Sequence, residues 1–217
     1  MKKNLIFIGI IVILIIAGIF GYKGLIKKEE IPPKITMQED LKGKKIVMVI
    51  AFRDFRDVEY FVPREILETA RAEVKTASNK KGIAIGADGG DVEVDLLVSE
   101  INPADFDAIV FIGGPGALNY LDNEDSYKVA RETVSQDKIL ASICISPVIL
   151  AKSEVLSGKK ATVWSSPLDR SPVKILEENE AIYEDKPVVV EGKIITANGP
   201  AAAEEFGEAI VEGLTKQ

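Results

Sequence analysis

The chain of 217 residues has one cysteine, Cys144, and no histidine, and these two counts decide which chemistry is open to it. A single thiol excludes an intrachain disulfide. The missing imidazole excludes every Ser-His, Cys-His and His-metal arrangement, in homo-oligomers as well, because an identical partner brings no histidine. Cys144 follows the apolar run Lys138 to Ile143, and a helical pattern starts near Pro147. A strand that gives way so abruptly to a helix lifts its turn residue out of the sheet and aims it at the helix N-terminus. The helix dipole there favours a thiolate and predicts a lowered thiol pKa. Burial as an inert core thiol is the alternative for any lone cysteine.

Two further segments belong with Cys144, because reactive groups in open α/β sheets gather at the carboxyl ends of strands. Gly113 and Gly114 end the run Ala108 to Ile112; glycines there bring backbone N–H groups close to a ligand or a developing oxyanion, or simply make a tight turn. Glu59 lies just beyond the first strand, behind Arg53-Asp54-Phe55-Arg56-Asp57. An exposed helix-surface charge is the usual fate of such a residue. In a partly buried cleft its pKa would rise, and its protonated form could donate a hydrogen bond to a thiolate.

The elements that must hold these residues are legible as alternating apolar runs and helical patterns. Lys45 to Ala51 reads as a buried parallel strand, Val58 to Arg71 as the first crossover helix, and Glu73 to Ala77 as a second strand. Gly82 to Val98, with the turn Asp88-Gly89-Gly90-Asp91, reads as a small hairpin. Helices are expected over 126–135, 147–156, 173–178 and 201–214, a strand over 161–164 and a hairpin over 188–196. Strands alternating with helices of this length specify an α/β fold, a mostly parallel sheet covered on both faces. Trp164 is expected in the core at the sheet edge.

With 27 Lys and Arg against 34 Asp and Glu, the net charge is -7, which disfavours nucleic acid as a partner. Leu5 to Tyr22 is apolar and uncharged, and as a helix it would span roughly 27 Å, close to the hydrocarbon thickness of a bilayer. Lys2 and Lys3 precede it, and no A-x-A-like cleavage site follows. Residues 1–28 are therefore expected to form one N-terminal transmembrane helix, an uncleaved anchor, contacting the membrane through residues 5–22. Residues 29–43, with Pro32-Pro33, read as a stiffened linker, and 44–217 as the domain. The positive-inside rule nearly ties, with a lean toward an extracytoplasmic domain.

The segment Ala141-Ser142-Ile143-Cys144-Ile145-Ser146-Pro147 resembles the cysteine elbow of the ThiJ/PfpI superfamily. Asp57-Val58-Glu59 is similar to that family's D-V-E segment, Ile112-Gly113-Gly114-Pro115-Gly116 to its oxyanion-side glycines, and Asn198-Gly199-Pro200-Ala201 with Glu205-Phe206 to its C-terminal helix. The resemblance runs from about Lys44 to Leu214. It implies a flavodoxin-like three-layer sandwich, a homodimer or larger oligomer, and no cofactor or metal. Its implied site is Cys144 with Glu59, backbone groups of Gly113, Gly114 and Ile145, and a pocket wall at Gly199 and Pro200.

The family's histidines are absent. Ile145 stands where the elbow histidine of protease-like members stands, Ser165 or Ser166 where another occurs, and Asn119 where such oligomers supply a Glu. A Cys-His-Glu triad is impossible, so peptidase action ranks last among the implied functions. Thiolate attack on a small reactive carbonyl, of glyoxalase or deglycase type, needs no histidine and ranks first. The alternatives are a redox-sensing thiol, connected with oxidative stress, and a chaperone or interaction domain whose catalytic site has lapsed.

Overall fold

A computed structural model describes residues 40–216. The expected anchor over 1–28 and most of the linker over 29–43 lie outside the described residues. Among the described residues no helix is long and apolar enough to cross a membrane. The longest helices have 13 residues, about 20 Å, and each buries one face against the sheet. The expected membrane localisation, with its extracytoplasmic domain, is therefore corrected: the described fold contains no spanning element.

A seven-stranded sheet forms the centre, in the order β11-β12-β8-β7-β1-β3-β6. Its strands are β1 (Lys45–Ile50), β3 (Glu73–Ser78), β6 (Leu96–Leu97), β7 (Ala108–Phe111), β8 (Ile139–Ile143), β11 (Val188–Glu191) and β12 (Ile194–Ala197). Every pairing is parallel except β11 with β12. β1, β7 and β8 are buried on both faces, which explains their continuous Val, Ile and Ala content. Alternate residues of β1 feed two cores: Ile46, Met48 and Ile50 point to one, Val47 and Val49 to the other.

Helices close both faces. α1 (Asp57–Thr69) and α6 (Ala203–Thr215) cover the first core through Tyr60, Leu67, Phe206 and Ile210. α3 (Glu124–Ser135), α4 (Pro147–Lys152) and α5 (Ser171–Glu178) cover the second, while the single turn α2 (Ala117–Tyr120) follows the β7 glycines. This is the expected α/β sandwich with a mostly parallel sheet. Leu41 is buried as well, its N–H donating to Ala70 O at 2.7 Å, so the packed body begins slightly before Lys44.

Two local features differ from the expectation. Arg53–Phe55 forms a short strand, β2, which pairs with β4 (Gly82–Gly86) and, through it, with β5 (Asp91–Val94), giving a separate three-stranded sheet. The strand expected over 161–164 stops early. β9 is only Lys160–Ala161, paired with β10 (Ile182–Tyr183), because the next residues are drawn elsewhere: Thr162 N–H donates to Thr196 Oγ1 and Trp164 N–H to Cys144 O.

Candidate functional site

Cys144 occupies the strand-to-helix turn with φ of 65°, a left-handed conformation costly for a residue with a side chain, on the order of 1–3 kcal/mol. The surroundings hold it there. Its N–H donates to Ala197 O and its carbonyl accepts from Trp164 N–H, both at 2.8 Å. Two residues on, the buried Ser146 Oγ donates to Ile112 O at 2.8 Å, tying the elbow to the end of β7. Cys144 is half-buried at the mouth of the sheet and lines a cavity there.

Behind it stands Glu59, in the first turn of α1 and fully buried. Burial pushes its pKa up from the ordinary 4.5 to about 7, while Cys144, the Arg56 charge and the Gly113 amide pull it back only partly. Neither carboxyl oxygen completes a hydrogen bond of ordinary geometry, so an ionised carboxylate here is poorly solvated. Of the two readings left open for Glu59, the exposed helix-surface charge is thus ruled out.

The thiol differs from the sequence-based reading. Burial pushes its pKa up, and the ionised Glu59 beside it pushes further; the amides of Gly114 and Ile145 act the other way and more weakly. The dipole argument loses because α4 has only six residues and opens on Pro147, so few aligned amides face the sulfur. Gly113 also behaves differently from its neighbour. Its amide acts on Glu59, not on the sulfur, and the room it leaves matters most. A Cβ at Gly113 would lie 2.5 Å from Cys144 Cβ and 2.7 Å from Glu59 Oε2. Gly114, with φ of 116°, sits so close to Arg56 N and Asp54 O that only glycine fits.

Above the sulfur opens a cavity of about 310 Å³. Pro115, Leu118, Ile145, Trp164 and Pro200 wall it, and Arg56 supplies a charge. Pro200 stands where the resemblance implies, whereas Gly199 touches the cavity only through Trp164, whose Cδ1 would lie 3.5 Å from an added Cβ. Trp164 corrects the expectation of a core residue: it is half-buried and faces this space. Arg56 was passed over as one charge in a charged loop. Asn119 is exposed, its side-chain amide donating to Pro115 O at 3.3 Å, and Ser166 lies in a turn closed on Asp169.

The raised Glu59 pKa carries a consequence for stability. The folded protein holds a proton that the unfolded chain releases near 4.5, so this contribution is complete below that pH and is lost as pH rises toward about 7. Urea unfolding of the full chain is expected to show a loss on the order of 3 kcal/mol across that interval. Glu59→Gln, which cannot ionise, is expected to flatten it; an unchanged slope in that variant would remove the assignment.

A mostly parallel α/β sandwich with one thiol on a strand-to-helix elbow and a sealed carboxyl behind it defines the class of fold and site. The sequence pattern of the DJ-1/PfpI family matches residues 44–213, and the chain belongs to that family. An uncharacterised protein of Methanocaldococcus jannaschii is 38% identical over 180 residues, covering 82% of this chain and 86% of that protein. A protein of Pyrococcus furiosus named deglycase PfpI is 33% identical over 154 residues, covering 71% and 90%. The crystal structure of a ThiJ/PfpI domain protein from Brachyspira murdochii superposes with a TM-score of 0.76 at 33% identity, covering 81% of this chain and 99% of that one.

Proposed function

We propose that the protein is an enzyme acting on small reactive carbonyl compounds, with Cys144 as nucleophile and Glu59 as its proton partner. One observation carries the reading: Cys144, which lines the cavity, shares its surroundings with a sealed carboxyl that completes no hydrogen bond of ordinary geometry. The two acids sit too close to ionise together, so over neutral pH the pair holds one negative charge. Sulfur is the better place for it, having two amide donors and a side open to the cavity, while the sealed carboxyl has the Gly113 amide alone. With its proton, Glu59 no longer repels the thiolate and can donate to it.

The chemistry follows from that arrangement. The thiolate adds to the aldehyde carbon of an α-oxoaldehyde, forming a C–S bond, and the carbonyl oxygen takes the electron pair and then the Glu59 proton. The amides of Gly114 and Ile145, which face the sulfur beforehand, support the oxyanion when it forms beside that sulfur. The Glu59 carboxylate next removes the carbon-bound proton of the hemithioacetal, and the resulting enediol takes a proton at the neighbouring carbon. Water cleaves the thioester, returning the thiol and a hydroxy acid. Histidine takes part in none of these steps, and the naming of the Pyrococcus furiosus relative as a deglycase agrees with carbonyl chemistry at this site. The full chain incubated with methylglyoxal is expected to yield lactate; a rate no higher than that of buffer would overturn the proposal.

A further inference from the structure

The geometry points to a substrate that carries an anionic group on an apolar body, with Arg56 as the specificity-determining residue of the cavity. This deepens the carbonyl reading and rests on it for the reacting atoms alone. The cavity of about 310 Å³ matches the volume of roughly ten waters in the liquid, so a three-carbon oxoaldehyde fills only a minor part of it. The remaining walls are apolar, and Arg56 is the one charged residue among the described residues that line them.

Arg56 is held in a way that leaves it usable. Its Nη1 donates to both oxygens of Asp88, at 3.1 and 3.2 Å, while Nε and Nη2 make no hydrogen bond among the described residues. Asp88 is itself fixed, since Asp57 accepts the N–H groups of Asp88 and Gly90 at 2.8 and 2.6 Å. The Asp88 side chain is 56% exposed against 31% for Arg56, so water screens the carboxylate more than it screens the guanidinium. The charge is felt beneath Cys144, where it offsets part of the rise that burial imposes on the Glu59 pKa. A guanidinium pinned at one nitrogen and free along its other edge suits a carboxylate or phosphate oxygen. Trp164 offers an apolar face to the body of the same molecule.

The test uses binding, because the chain has a single tryptophan and so a single indole N–H signal. The nitrogen-labelled full chain is titrated with 3-phenylpropanoate and with its neutral amide, which share one apolar body. The carboxylate is expected to shift the Trp164 signal with a dissociation constant about tenfold lower than that of the amide. Arg56→Gln is expected to erase the difference and Arg56→Lys to restore part of it. Equal binding of the two ligands, no shift with either, or an undiminished preference in Arg56→Gln overturns the inference. Loss of the preference with lactate formation intact removes only this inference; absence of lactate with the preference intact removes only the carbonyl reading.

Discussion

Replacing Cys144 by serine is expected to lower carbonyl turnover by at least about 10³-fold while leaving the melting temperature nearly unchanged. The hydroxyl is slightly smaller than the thiol and can accept from the same two amides, those of Gly114 and Ile145, so the elbow keeps its partners. Its conjugate base, however, forms only at far higher pH. A serine nucleophile would need a general base for the addition step; the chain has no histidine, and Glu59 enters that step as the proton donor. The measurement is lactate formation beside a thermal melt on the same sample. Residual turnover within tenfold of the parent would remove the thiol from the reaction.

Gly113→Ala carries the second large effect, on both folding and function. The added carbon would stand 2.5 Å from Cys144 Cβ, 2.7 Å from Glu59 Oε2 and 2.9 Å from Ile143 O. None of the three can move freely. Cys144 is held by hydrogen bonds on both sides of its peptide unit, Ile143 is part of β8, and Glu59 is sealed within α1. The overlap must be relieved by separating sulfur from carboxyl or by shifting the β7 end away from β8. A loss of roughly 3 kcal/mol or more in stability is expected, with turnover falling further than the folded fraction does. Urea titration and single-turnover assays separate the two; a variant with parental stability and rate would show that the spacing between Cys144 and Glu59 is not set here.

Much of the scaffold was legible in the residues. The short apolar runs of β1 after Lys45, of β7 and of β8 read as buried parallel strands, and the abrupt passage from Ile143 to Pro147 located the elbow. Glu59 could be nominated but not interpreted, because its burial depends on β7, β8 and α1 meeting, which no local pattern encodes. Trp164 was misread for a related reason. Its N–H bonds Cys144 O, a contact between distant segments that pulls it off the expected strand and into the cavity wall. Arg56 was hidden by its neighbours: in a run of alternating charges nothing marks the one whose carboxylate partner, Asp88, lies on another turn. The thiol pKa was misjudged because the sequence displays the helix that follows Cys144 and not the buried acid behind it.

Proton placement within the pair is the claim on which the chemistry stands, and pH-dependent alkylation of the only thiol measures it directly. With the proton on Glu59 and the charge on sulfur, Glu59→Leu removes a donor and leaves a thiolate facing a hydrocarbon. Alkylation at neutral pH is then expected to slow by about tenfold, with its inflection moving to higher pH, while Glu59→Gln, which keeps an N–H donor, stays near the parent. Faster alkylation in both variants would mean that the charge rests on the carboxylate and suppresses the thiolate, contradicting the account.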